Sequence, residues 1–171
     1  MAEYIMKDVV SAFRYLPYGM LAGSVMAMIL SVMKHRRVKQ GRASFSVVAY
    51  TGLFVYLVIL LCITVLSRES GSSKGIDLEL FATWGINTRN NAYVIENILL
   101  FVPFGILSAW VLPMAGRLLG CASMGLMVSL GIECLQLITG RGYFQTDDIL
   151  TNTLGAIVGY LLYRCVVRKK K

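Results

Sequence analysis

Residues 131–159 read GIECLQLITGRGYFQTDDILTNTLGAIVG. This stretch sets polar groups into very apolar surroundings. Glu133 and Gln136 interrupt a run that otherwise has the composition of a membrane helix. Arg141, Asp147 and Asp148 fall in the short connection that follows, and Asn152 sits one turn into the next apolar run. Charges and carboxamides near lipid cost free energy unless they pair, face a cavity or act. The reading of this stretch therefore decides how the remainder is understood.

Outward from it, the chain is strongly apolar. Of its 171 residues 57% are hydrophobic and 15% charged, with a mean hydropathy of +0.67. A soluble domain of this size carries more charge. Apolar runs at about 15–33, 45–66, 93–112, 118–138 and 149–167 are each long enough to cross the ~30 Å hydrocarbon core. The sequence predicts an all-α, polytopic transmembrane bundle of about five spans, forming a single membrane domain over residues 1–171. The alternation expected of a membrane β-barrel is missing. Residues 1–14 lack the basic start and small-residue site of a cleaved signal peptide. They suit a short interfacial helix instead, with Tyr4, Ile5, Val9 and Phe13 on one face.

Cysteine and histidine narrow the chemistry. Cys62, Cys121 and Cys134 fall in apolar runs, Cys165 lies near the basic tail, and none has zinc-ligand spacing. His35 is the one histidine, which excludes a histidine-based metal site. No metal and no cofactor is expected.

Small residues mark helix contacts. Gly19, Gly23 and Ala27 recur every fourth residue, as do Gly155 and Gly159, a spacing that lets helices approach closely. Pro103, Phe104 and Gly105 predict a kink in the third span. Residues 67–92 form the longest polar segment. Its Ser and Gly predict a flexible loop, and Trp84 an interfacial anchor.

Charge gives orientation. Eleven of the 17 Lys and Arg (Lys34, Arg36, Arg37, Lys39, Arg42, Arg117, Arg164, Arg168, Lys169, Lys170, Lys171) share one side with no acidic residue. Cytoplasmic loops carry such an excess. The N-terminus is then outside and the C-terminus cytoplasmic. The net charge of +8 is thus a topology signal. Nucleic acid is not an expected partner, because aromatic–basic interleaving is absent. The lysine tail suits anionic lipid headgroups.

In that orientation Asn97, Glu133, Gln136, Arg141, Asp147, Asp148 and Asn152 fall in one layer at the outer leaflet. Structural roles are available for each. Thr146 can cap the fifth span, with Asp147 and Asp148 in its first turn; Arg141 can neutralise one of them; the asparagines can bond across helices. The functional reading is an outward-facing polar pocket. Arg141 is suited to holding a phosphate or carboxylate, and the carboxamides to reading peptide or sugar groups. Paired carboxylates could instead do acid–base work or hold a divalent cation. No nucleophile with an adjacent base is visible.

At these residues the sequence resembles the VanZ family of small bacterial membrane proteins. The resemblance rests on Asn97-x-x-x-Phe101-x-Pro103-Phe104-Gly105, Glu133-x-x-Gln136, Arg141 followed by Asp147-Asp148, and Asn152-Thr153-x-Gly155. It covers about residues 93–163; the first two spans add nothing beyond being apolar. The resemblance implies a place at the bacterial cell surface and a link to teicoplanin resistance. The expected function is non-enzymatic: binding of a cell-envelope component, such as membrane lipid or a lipid-linked cell-wall precursor, or of a lipoglycopeptide. A membrane enzyme acting on an envelope lipid and a passive scaffold are the alternatives.

Overall fold

A computed structural model describes residues 1–71, 73–81 and 83–168, excepting the side chains of residues 7–9, 11, 73, 74 and 168. The terminal lysines of the basic tail lie outside the described residues. Helix α1 (Ala2–Ala12) leads through a short turn into α2 (Leu16–Lys39). Then come α3 (Val47–Leu61), α4 (Thr88–Val111), α5 (Leu118–Thr139) and α6 (Thr146–Arg168). Five helical segments, 13–39, 47–66, 88–111, 118–139 and 146–167, are long and apolar enough to cross a membrane. The protein is an all-α membrane bundle.

Span limits differ from the sequence reading at α2, which continues six residues past Met33 into the basic segment read as loop, and at the start of α4. Asn87 caps its start, the side chain accepting from the Arg89 and Asn90 backbone N–H groups at 3.0 and 2.9 Å. The helix therefore begins five residues before Tyr93, and Asn97 lies well inside it. Polar Thr88–Asn91 had disguised this turn as loop. The helix continues unbroken through Pro103. The Tyr56 hydroxyl donates to the Leu100 carbonyl, next to the acceptor that Pro103 leaves without its helical donor.

The second span ends in a π-helical segment, Cys62–Leu66. Beyond it the predicted flexible loop is instead partly a strand. β1 (Ser73–Asp77) pairs in parallel with β2 (Arg141–Gln145), Ser73 opposite Arg141 and Asp77 opposite Gln145. Helix α5 reaches β2 through Gly140, whose φ of 63° is the left-handed conformation glycine adopts without penalty.

α6 is the central helix, packed on both α4 and α5. Its glycines permit backbone contact. A Cβ at Gly155 would strike the Ile98 carbonyl, and one at Gly159 the Val102 carbonyl. From the other side, a Cβ at Gly105 would strike the Ala156 carbonyl, and one at Gly125 would lie 2.7 Å from the Ala156 Cβ. On α2, Gly19 and Gly23 make room for the Ile59 and Val55 side chains of α3. The apolar core joins Phe101, Phe104, Cys121, Ile132, Ala156 and Tyr160. α2 remains peripheral, most of its apolar side chains facing outward as lipid contact requires.

Candidate functional site

The polar residues of α4, α5 and α6 come together where these helices approach the two strands. From α5, Ser129, Glu133 and Gln136 share one face and are 0%, 1% and 2% exposed. From α6, Asp148 and Asn152 are one turn apart. Asn152 Nδ2 donates to Ser129 Oγ at 2.9 Å, tying α6 to α5. From α4, Asn97 Nδ2 donates to Asp148 Oδ1 at 2.8 Å, tying α4 to α6. Glu133 Oε2 accepts the Gln145 backbone N–H at 2.9 Å, fixing the end of β2 over α5. Gln136 Nε2 donates to the Thr64 carbonyl at 3.0 Å, at the π-helical end of the second span.

Asp147 and Arg141 have separate surroundings. The Asp147 carboxylate accepts the backbone N–H groups of Phe81 at 2.6 Å and of Thr83 at 3.0 Å. Phe81 has φ 64°, a left-handed conformation that costs a non-glycine residue about 1–3 kcal/mol. The two charge-assisted bonds offset that strain and latch Phe81 and Thr83 onto α6. Asp147→Ala is therefore expected to speed amide exchange at Phe81 and Thr83 by about 10–100-fold, since bonds to a charged acceptor contribute about 1.5–3 kcal/mol. Hydrogen-exchange mass spectrometry on the detergent-solubilised protein checks this; unchanged exchange would show that the latch does not hold the loop.

Arg141 Nη1 donates to the carbonyls of Val65 and Leu66 at 3.3 and 3.4 Å. It thus satisfies the last acceptors of the second span, a structural use that competes with holding a ligand anion. The Thr146 hydroxyl, at the start of α6, donates to the Asp77 carbonyl on β1 at 3.5 Å.

Arg68 is the residue that sequence reasoning missed. It was one polar residue among many in 67–92, and nothing in its spacing pointed inward. A Cβ at Gly142 would meet Arg68 Nη1 at 2.7 Å and Gln136 Oε1 at 2.9 Å. Gly142 thereby leaves the gap through which Arg68 reaches the layer. From there its charge acts on both Glu133 and Asp148. The only signal available was the short Arg141-Gly142-Tyr143 sequence, in which glycine has no turn to serve.

Two acceptors in the layer, Gln136 Oε1 and Asn152 Oδ1, are buried with no hydrogen-bond partner among the described residues. In a lipid setting such atoms are expensive to leave unmatched. Among the described residues no group of three or more His, Cys, Asp or Glu is arranged to hold a metal ion. The layer is acceptor-rich, with a cation at its edge, and its chemistry suits a ligand bearing hydrogen-bond donors.

The fold and site define a multi-pass helical membrane protein with a buried polar layer toward one end of its bundle. Residues 20–168 match the VanZ/LLP1 family, so the chain belongs to that family. The match takes in most of the first span and all of the second, which the motif-level resemblance had not reached. Over 118 residues the chain is 30% identical to Protein VanZ of Enterococcus faecium, covering 65% of this chain and 70% of that protein. No solved structure matches.

Proposed function

We propose that this VanZ-family protein faces its polar layer to the outside of the cell. There it binds a cell-envelope component or a lipoglycopeptide and lowers susceptibility to teicoplanin-type antibiotics. The observation that carries the reading is the convergence of Asn97, Glu133, Gln136, Asp148 and Asn152 from three helices into one polar layer, in which Glu133, Gln136 and Asn152 are buried, Asn97 and Asp148 half-buried, and two acceptors unmatched among the described residues. A bundle that needed only stability would fill this space with apolar side chains at lower desolvation cost. Family membership and the Enterococcus relative support the link to glycopeptides.

Asp148→Asn tests it. Asparagine keeps an oxygen for Asn97 and removes the charge. Expressed in a teicoplanin-sensitive host, the wild-type chain is expected to raise the inhibitory concentration, and the variant, at equal membrane abundance, to lose most of that gain. A variant with the full gain would sink the reading.

The orientation has its own test. In a cysteine-free background, Glu79→Cys, in the exposed segment 78–81, is expected to react with a membrane-impermeant thiol reagent in intact cells. Labelling only after lysis would place the layer at the cytoplasmic face.

A second reading, a membrane enzyme acting on an envelope lipid, draws on the electrostatic coupling of Glu133 and Asp148. It requires the purified protein to form product from an envelope lipid, with loss on either Glu133→Gln or Asp148→Asn.

A further inference from the structure

Residues 76–81 read IDLELF, and Trp84 and Ile86 follow closely. Ile76, Leu78, Leu80, Phe81, Trp84 and Ile86 are each more than half exposed. A row of large apolar side chains on one connection marks a surface that something apolar covers.

The position of Phe81 and Trp84 says what covers it. Both wall a small apolar cavity with Val94 of α4 and with Leu150 and Leu154 of α6. Leu154 lies about 12 Å along the helix from Thr146, the first residue of α6. Leu150 and Leu154 are 37% and 41% exposed on a helix apolar enough to cross the membrane, so they face lipid. The Trp84 ring therefore sits beside lipid-facing side chains, inside the length of the fifth span.

Non-helical backbone at that depth needs its polar groups matched by protein. A connection over water has solvent for that purpose. Here the Glu79 N–H donates to Asp77 Oδ1 at 3.1 Å, and the Gly85 N–H to Asn91 Oδ1 at 2.8 Å. The Trp84 N–H donates to the Phe81 carbonyl at 3.3 Å. The N–H groups of Phe81 and Thr83 share the buried Asp147 carboxylate. Side chains from two spans thus supply acceptors that water would otherwise provide.

We infer that residues 76–81 and 83–86 are a membrane-inserted edge of the bundle, lying where headgroups meet acyl chains and held there by Asp147. The partner is bilayer lipid. The apolar row is continuous with the lipid-facing side of α6, and tryptophan favours that level of the membrane. Asp77 and Glu79 alternate with Ile76, Leu78 and Leu80, which along an extended chain turns the acids away from the apolar side. The segment sits there whether or not the polar layer engages antibiotics.

The experiment uses the full chain in phosphatidylcholine nanodiscs, which leave both membrane faces accessible. Trp84 and Trp110 are the two tryptophans, so Trp110→Phe leaves Trp84 alone to report. Its emission is expected to be quenched by phosphatidylcholine brominated high on the acyl chains and spared by acrylamide. Absence of bromolipid quenching would overturn the insertion. With acrylamide quenching the segment lies in water; without it, protein such as a second copy covers the face. Leu78→Cys and Glu79→Cys in a cysteine-free background give an independent reading. The thiol of Leu78→Cys should react with a membrane-impermeant maleimide about tenfold more slowly than that of Glu79→Cys, a difference of about 1.4 kcal/mol. Equal rates would overturn the insertion, even where Trp110→Phe gives no folded protein.

Discussion

Gly155→Leu is expected to abolish folded protein. At this position the added Cβ would fall on the carbonyl of Ile98 and crowd the Phe101 side chain at 2.9 Å. Backbone cannot move aside as a side chain can, so α4 and α6 would have to separate. Gly159 and Gly105 would lose their contacts in the same movement, since they hold the same pair of helices together on Val102 and Ala156. Overpacking in a well-packed core costs about 1–3 kcal/mol where side chains can adjust; here the cost should exceed that range. Set against a total stability of about 5–15 kcal/mol, the expected yield of monodisperse protein is below about a tenth of wild type. Gly52→Leu is the control, because a Cβ at Gly52 would meet nothing within 4 Å. Comparable size-exclusion profiles for the two variants would refute the backbone-contact account of the α4–α6 pair. Polar substitutions that leave the fold intact would, beside this result, separate a working layer from a scaffold held by glycine contacts alone.

How much of this was readable in the sequence depends on the range of the interaction. The spans are legible because lipid selects long apolar runs, and the Gly155–Gly159 face because helix contact repeats every four residues. The start of α4 was not legible: Thr88–Asn91 are as polar as the loop before them, and only the Asn87 cap reveals the turn. The β1–β2 pair was hidden for another reason. Its strands are five residues each, parallel, and far apart in sequence. Neither alternates clearly enough to be recognised, and their pairing depends on the π-helical segment Cys62–Leu66 meeting the end of α5. The polar residues of the layer could be named individually, yet their partners could not. Nothing local says that Asp147 turns to Phe81 and Thr83 while its neighbour Asp148 turns to Asn97. Nor does anything local send Arg141 to the carbonyls of Val65 and Leu66 and bring Arg68 over Gly142. Those assignments follow from how α6 is rotated between α4 and α5, a tertiary fact set by the glycine contacts.

Glu133 is where stability and function can be separated, and two substitutions are expected to behave differently. Its carboxylate is 1% exposed and accepts the Gln145 backbone N–H, so it anchors β2 as well as charging the layer. Glu133→Ala removes the acceptor and leaves that N–H without its partner. Leaving a buried donor unmatched costs about 1–3 kcal/mol, and each kcal/mol corresponds to about 2–4 °C for a chain of this size. The melting temperature in detergent should therefore fall by about 5–10 °C. Glu133→Gln keeps an oxygen in nearly the same place, so the melting temperature should stay within about 2 °C of wild type. The ionisable carboxyl is nonetheless gone, and with it its interactions with Asp148 and Arg68. If the layer works as proposed, the glutamine variant folds normally and loses the teicoplanin effect. Full resistance with normal stability would assign Glu133 to anchoring β2 and nothing more. A melting temperature that falls as far for glutamine as for alanine would mean that the charge itself holds the strand, and the two roles could not then be divided at this residue.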